Sequence, residues 1–166
     1  MNKFYKYVKN IKGDNMTVKD IMNKNIICVD KYEKVWEVAQ KMKKYNIGFL
    51  PVIDSSKLIG VITDRDIVIN SIANNNDKNK TIENYINKNI ISINIEESIK
   101  NALNLMSQTK IKRLIVTNDK QVVGIVSLSD ILTTNLDSEI LKTIRSIWIQ
   151  NDNHQEKDVQ IDDFYL

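Results

Sequence analysis

Apolar positions in this chain follow two periods in a fixed order, and the order occurs twice. Val35, Val38, Ala39 and Met42 fall at i, i+3, i+4 and i+7, the spacing of one apolar helical stripe. Ile99, Ala102, Leu103 and Met106 repeat that spacing 64 positions later. A short β-branched run precedes each helix, at 26–29 and 90–93, and predicts a strand. Two more strand-like runs follow each helix, at 49–53 and 58–62, then at 113–117 and 122–126. The polar tetrads DSSK and NDKQ separate them and predict hairpin turns. Pro51, the one proline, lies inside such a run and predicts an edge or a strand end. Residues 66–72 predict the start of a helix with Ile67, Val68 and Ile72 facing inward.

Residues 17–68 lie over 81–132 without a gap, with identity at 14 of 52 positions and NKNII in both copies. Each copy reads helical turn, strand, helix, strand, strand, helix. A unit of about 55 residues buries too little surface to be comfortable alone. The expectation is therefore an α+β protein whose two copies pack sheet against sheet around one shared core. Its organisation reads as a basic arm (1–16), a first repeat (17–73), a polar linker (74–80), a second repeat (81–136) and a C-terminal helix with an acidic tail (137–166). The copies are not interchangeable: Trp36 stands opposite Lys100, and Gly48 opposite Lys112. In 137–150, Ile140, Ile144, Ile147 and Trp148 share one helical face with Leu141 beside it, which predicts a helix packed on the repeats or across a dimer interface.

Each copy ends its last strand in a hydroxyl and an acid three residues apart, in GVITDRDI and GIVSLSDI. Thr63 with Asp66, and Ser127 with Asp130, have the spacing of a capping box, in which the hydroxyl accepts from a first-turn amide and the acid reaches back. Capping alone accounts for both pairs. The same geometry also suits a ribose phosphate. Free amides and the hydroxyl attract phosphate, and a carboxylate accepts from vicinal hydroxyls.

The duplicated unit closing in G-x-x-[S/T]-x-x-D resembles tandem CBS domains, the pair called a Bateman module, over about residues 17–136. GIVSLSDIL is similar to repeats of the regulatory γ subunit of AMP-activated kinase. The resemblance implies a β-α-β-β-α core per copy, pseudo-two-fold symmetry and two clefts between the copies for adenosine-containing ligands. AMP, ADP, ATP and S-adenosylmethionine are the implied ligands, and no obligatory cofactor is implied. Carried over by position, Ser127, Ser129 and Asp130 match the motif in the second copy. Lys112 and Arg113 are the phosphate-side cations there, and the stretch from Asn89 through Ile90 to Ile91 is the apolar wall. In the first copy Thr63, Asp64, Arg65 and Asp66 carry the motif, with Ile26, Ile27 and Cys28 as the wall. Gly48 and Phe49 replace the two cations, so the second copy's cleft is expected to be the better anion site, with Asp130 mattering more than Asp66.

Composition narrows the alternatives. Net charge is +3, too small to imply a nucleic-acid partner. No apolar run reaches the ~20 residues of a membrane span, nor does the start resemble a signal peptide. One cysteine forms no internal disulfide, and a cytoplasmic protein is expected; Cys28 also reads as a small apolar filler. His154, the only histidine, has no ligand partners at metal spacing, and no phosphate-loop or dinucleotide fingerprint is present, so neither a metal site nor an enzyme is expected. The expected function is a homodimeric ligand sensor acting on an unknown protein partner. A structural interaction module with empty clefts is the alternative. Nucleic-acid binding through the lysines of residues 1–12 is a weaker one.

Overall fold

The computed structural model describes residues 16–75, 78–119, 121–134 and 136–149. The basic arm up to residue 15, residues 76–77 of the linker, His154 and the acidic tail lie outside the described residues. The chain runs α1 (Val18–Ile21), β1 (Val29–Asp30), α2 (Val35–Tyr45), β2 (Phe49–Asp54), β3 (Lys57–Thr63) and α3 (Asp64–Asp66), which continues as a π-helical turn over Ile67–Ile72. After a 3-10 turn at Ile82–Tyr85 come β4 (Ser92–Asn94), α4 (Ile99–Thr109), β5 (Arg113–Asn118), β6 (Gln121–Ser127), α5 (Leu128–Ile131) and α6 (Asp137–Ile149). Each repeat forms a three-stranded sheet, β1-β2-β3 and β4-β5-β6, with a parallel outer pair and an antiparallel hairpin.

The hairpins form where DSSK and NDKQ place them, Asp54 pairing with Lys57 and Asn118 with Gln121. Pro51 corrects its expectation, because β2 is the central strand. In the second repeat the matching residue, Ile115, donates its amide to Ile91 across the β4 side. Proline has no such donor. The parallel pairing in the first repeat accordingly begins one residue later, at Val29–Val52, against Ser92–Ile115. The predicted strand starts at residues 26 and 90 are likewise too early. Another correction concerns the segment after Asp66: Ile67 is buried, but Val68 and Ile72 are 53% and 63% exposed. On α2, Val35, Val38 and Met42 are buried and Ala39 is exposed.

The buried residues form two clusters, one behind each sheet, and not one shared core. The clusters are exchanged at their edges. Met16, Val18 and Ile21 lie at the start of the first repeat yet pack in the second repeat's cluster. Ile82 lies at the start of the second repeat and packs in the first repeat's cluster, with Tyr85 and Ile86 against it. Main-chain bonds fix the exchange. Asn23 and Ile125 bond reciprocally at 2.9 and 3.0 Å, and Val61 and Asn87 at 2.9 Å each. This explains the glycine that precedes Val61: a β-carbon on Gly60 would stand 2.6 Å from the Asn87 carbonyl oxygen. Val61 and Ile115 are buried outside both clusters and share the wall of one inter-repeat cavity. The two repeats thus meet through their sheets.

Helix α6 packs on the outer side of α4. Ile140 and Ile147 enter the second repeat's cluster, and the Thr143 hydroxyl donates to the Leu103 carbonyl at 3.4 Å. Leu141 and Trp148 remain 55% and 47% exposed.

Candidate functional site

Both capping boxes form. Thr63 Oγ1 accepts from the Asp66 amide at 3.1 Å, while Asp66 Oδ2 accepts from the Thr63 amide at 2.9 Å and its hydroxyl at 2.7 Å. Ser127 and Asp130 repeat this at 3.2, 2.8 and 2.6 Å, and Ser129 Oγ lies 2.7 Å from Ser127 Oγ. One oxygen of each acid is thus engaged in the cap, and the residue's other oxygen makes no hydrogen bond among the described residues.

Two cavities open between the repeats, and each combines one repeat's motif with the other repeat's NKN segment. The larger, about 610 Å³, joins Thr63, Asp64 and Arg65 to Asn87, Asn89 and Ile91. Lys110, Ile111, Lys112 and Arg113 from the end of α4 and the start of β5 complete its wall, with Ile147 of α6. The smaller, about 350 Å³, joins Ser127, Ser129 and Asp130 to Asn23, Asn25 and Ile27, with Tyr45, Asn46 and Ile47 from the end of α2. Phe49 and Arg113, at equivalent positions of β2 and β5, line both. The larger cavity therefore has four cationic side chains and one carboxylate, Asp64; the smaller has Arg113 and Asp130.

This crossing changes the grouping expected from the sequence. The resemblance groups Lys112 and Arg113 with Ser127, Ser129 and Asp130, but Lys112 stands on the cavity of the first repeat's motif, and Arg113 lines both. Ile91 likewise faces Thr63, and Ile27 faces Ser127. Asp66 lies off the wall of the larger cavity, where Asp64 lies on it; Asp130 is on the wall of the smaller. Ile26, Cys28 and Ile90 are off both walls. The chain turns tightly here, the Ile26 amide donating to the Lys24 carbonyl at 3.1 Å and the Ile90 amide to the Lys88 carbonyl at 3.0 Å, and Asn25 with Ile27, and Asn89 with Ile91, line the cavities. Burial pushes the Cys28 thiol pKa up, partly offset by Lys41. The residues missed from sequence, Lys110, Tyr45, Asn46 and Ile147 among them, cluster at the helix C-termini. Asn46 and Lys110 both close their helices in the left-handed region, at φ 53° and 58°. That region is costly for lysine and tolerated by asparagine.

The comparisons with known proteins agree with this architecture. The family model of the CBS domain matches residues 18–72 and 82–136. Hypoxic response protein 1 of Mycobacterium tuberculosis is 34% identical over 133 residues, 79% of this chain and 93% of that protein. The crystal structure of Hypoxic Response Protein I with two coordinated zinc ions superposes at TM-score 0.61 with 36% identity, covering 70% of this chain and 97% of that one. Among the described residues here, no group of three or more His, Cys, Asp or Glu is placed to hold a metal. A CBS domain pair crystallised with 5'-methylthioadenosine and S-adenosyl-L-methionine gives TM-score 0.64 and 35% identity, covering 70% of this chain and 93% of that one. A hexameric CBS-CP12 protein from bloom-forming cyanobacteria gives TM-score 0.64 and 26% identity, covering 70% and 66%. Among the described residues no helix is long and apolar enough to cross a membrane. With both repeats matched and the exchanged two-sheet architecture in place, the chain belongs to the CBS domain family as a tandem pair.

Proposed function

We propose that this protein is a regulatory module that binds an adenosine-containing ligand between its repeats and passes a change of packing to a partner protein. The observation that carries this reading is the wall of the larger cavity. Arg65, Lys110, Lys112 and Arg113 line it together with Thr63 and Asp64 and the apolar Val61, Ile91, Ile111 and Ile115. A cavity of 300–1,000 Å³ with apolar walls and a few polar groups is the usual form of a small-molecule site. The cations suit phosphates, Asp64 suits ribose hydroxyls, and the isoleucines suit an adenine ring. Charge separates the two sites. Adenosine phosphates fit the larger, and an uncharged or zwitterionic adenosine compound fits the smaller, where one arginine meets one aspartate. The S-adenosylmethionine and methylthioadenosine bound by the structural relative support the ligand class.

Thermal denaturation with AMP, ADP, ATP, S-adenosylmethionine and 5'-methylthioadenosine tests this. A ligand at 100 times Kd adds about 2.7 kcal/mol, a rise of roughly 5–10 °C in Tm at this chain length. Arg65→Ala is expected to weaken ATP about tenfold or more, and Asp130→Ala to leave ATP nearly unchanged. A flat response to the whole panel overturns the reading.

The second reading is an interaction module whose clefts stay empty. The complete capping boxes favour it, since they account for Thr63, Asp66, Ser127 and Asp130 without any ligand. A homodimer serves either reading. Val68 and Leu132 occupy equivalent positions of the two repeats and are 53% and 55% exposed, beside Ile69 and Ile72. That apolar surface supports self-association.

A further inference from the structure

Three consecutive residues in the last turn of α6 bear on the larger cavity, one as wall and two through its lysines. Ile147, 1% exposed, is part of its wall. The residues on either side of Ile147 hold two of its four cations. Lys112 Nζ lies 3.8 Å from the centroid of the Trp148 ring, and Lys110 Nζ donates to Ser146 Oγ. The Ser146 hydroxyl in turn donates to the Ser107 carbonyl at 3.4 Å, tying the same turn to α4. The first repeat has no counterpart of this arrangement. Asn46 and Gly48 stand where Lys110 and Lys112 stand in the second, and among the described residues no helix covers α2 as α6 covers α4. The arrangement therefore belongs to the larger cavity alone.

An ammonium over an indole face is attracted by the ring's quadrupole, and a phosphate with its full negative charge is a stronger partner. At 3.8 Å from the ring centroid, Lys112 Nζ is held on Trp148, and an anion in the cavity competes with the ring for it. We infer that the last turn of α6 reports occupancy of the larger cavity: an adenosine polyphosphate draws Lys112 from Trp148 and Lys110 from Ser146, and so releases the turn that leads into residues 150–166. This rests on the reading of the cavity as a nucleotide site. Linkage makes the effect reciprocal: if nucleotide breaks the Lys112–Trp148 contact, removing the ring must tighten nucleotide binding. The tightening is about two- to five-fold, the size of an ammonium–ring contact at a partly exposed site.

The test uses the full chain carrying Trp36→Phe, which leaves Trp148 as the sole tryptophan. ATP is titrated by calorimetry and by tryptophan emission, with adenosine and tripolyphosphate as partial probes. The expected result is an emission change with ATP that saturates at the calorimetric midpoint, and none with adenosine. Lys112→Ala should abolish the change, and in the chain retaining Trp36, Trp148→Ala should tighten ATP two- to five-fold with Trp148→Phe in between. Calorimetric binding with unaltered emission, or weaker ATP binding in Trp148→Ala, overturns the inference and leaves the nucleotide site standing. No heat from any of the probes removes the site and the inference together.

Discussion

Replacing Gly60 by alanine tests the exchange that builds the larger cavity. The added β-carbon would lie 2.6 Å from the Asn87 carbonyl oxygen and would also meet the Ile86 side chain. A backbone oxygen cannot turn aside as a side chain does, so the 87–89 segment must move off β3. That movement breaks the two Val61–Asn87 hydrogen bonds, each 2.9 Å, worth about 1 kcal/mol apiece. Overpacking adds about 1–3 kcal/mol, against a gain of roughly 0.4–1 kcal/mol from restricting the unfolded chain. The expected net loss is about 2–4 kcal/mol, or roughly 4–16 °C in Tm. Gly124→Ala is the internal control. Its nearest neighbour is the Met22 sulfur at 2.7 Å, on a flexible side chain, with the Asn23 carbonyl oxygen at 3.0 Å. Methionine yields easily, so the loss there is about 1–2 kcal/mol. Urea unfolding of both variants, checked for coincident transitions by two probes, measures the difference. Asn87 and Asn89 line the larger cavity, so Gly60→Ala should also weaken any ligand bound there. A Gly60→Ala protein within about 0.5 kcal/mol of wild type, or a costlier Gly124→Ala, would refute the account of the glycines as close-approach positions.

Lys110→Asn should leave stability unchanged or raise it by up to about 1 kcal/mol, since asparagine tolerates the left-handed backbone that Lys110 adopts. The same variant should weaken ATP about tenfold, and a melt with a calorimetric titration reads both effects. Cys28 should react with iodoacetamide more slowly than a free thiol at the same pH, because its raised pKa lowers the thiolate fraction. The folded thiol also holds its proton more tightly than the unfolded one. The stability it contributes is complete below the ordinary value of 9.0 and is lost as pH rises through the raised folded value, a decline that Cys28→Ser should remove. Val68→Lys combined with Leu132→Lys should turn dimers into monomers in light scattering, and a monomeric wild type would rule out that surface as the dimer contact.

The local organisation was legible in the sequence because its causes are local. Helix stripes need neighbours at i+3 and i+4, hairpins need a polar tetrad, and the capping boxes join residues three apart. The 64-residue offset exposed the duplication, and the closing Thr-x-x-Asp and Ser-x-x-Asp marked the strand–helix junctions that reach the cavities. The pairing of Asn23 with Ile125, and of Val61 with Asn87, left a fainter trace. These contacts are main-chain bonds that almost any residue can make, and only Gly60 and Gly124 carry their imprint, as absent side chains. The crossing of the repeats was therefore decided by tertiary structure, and with it which motif faces which cations. Tertiary structure also turned Ile26, Cys28 and Ile90 off the cavity walls and brought Trp148 to Lys112, since the direction of a side chain depends on what packs behind its backbone.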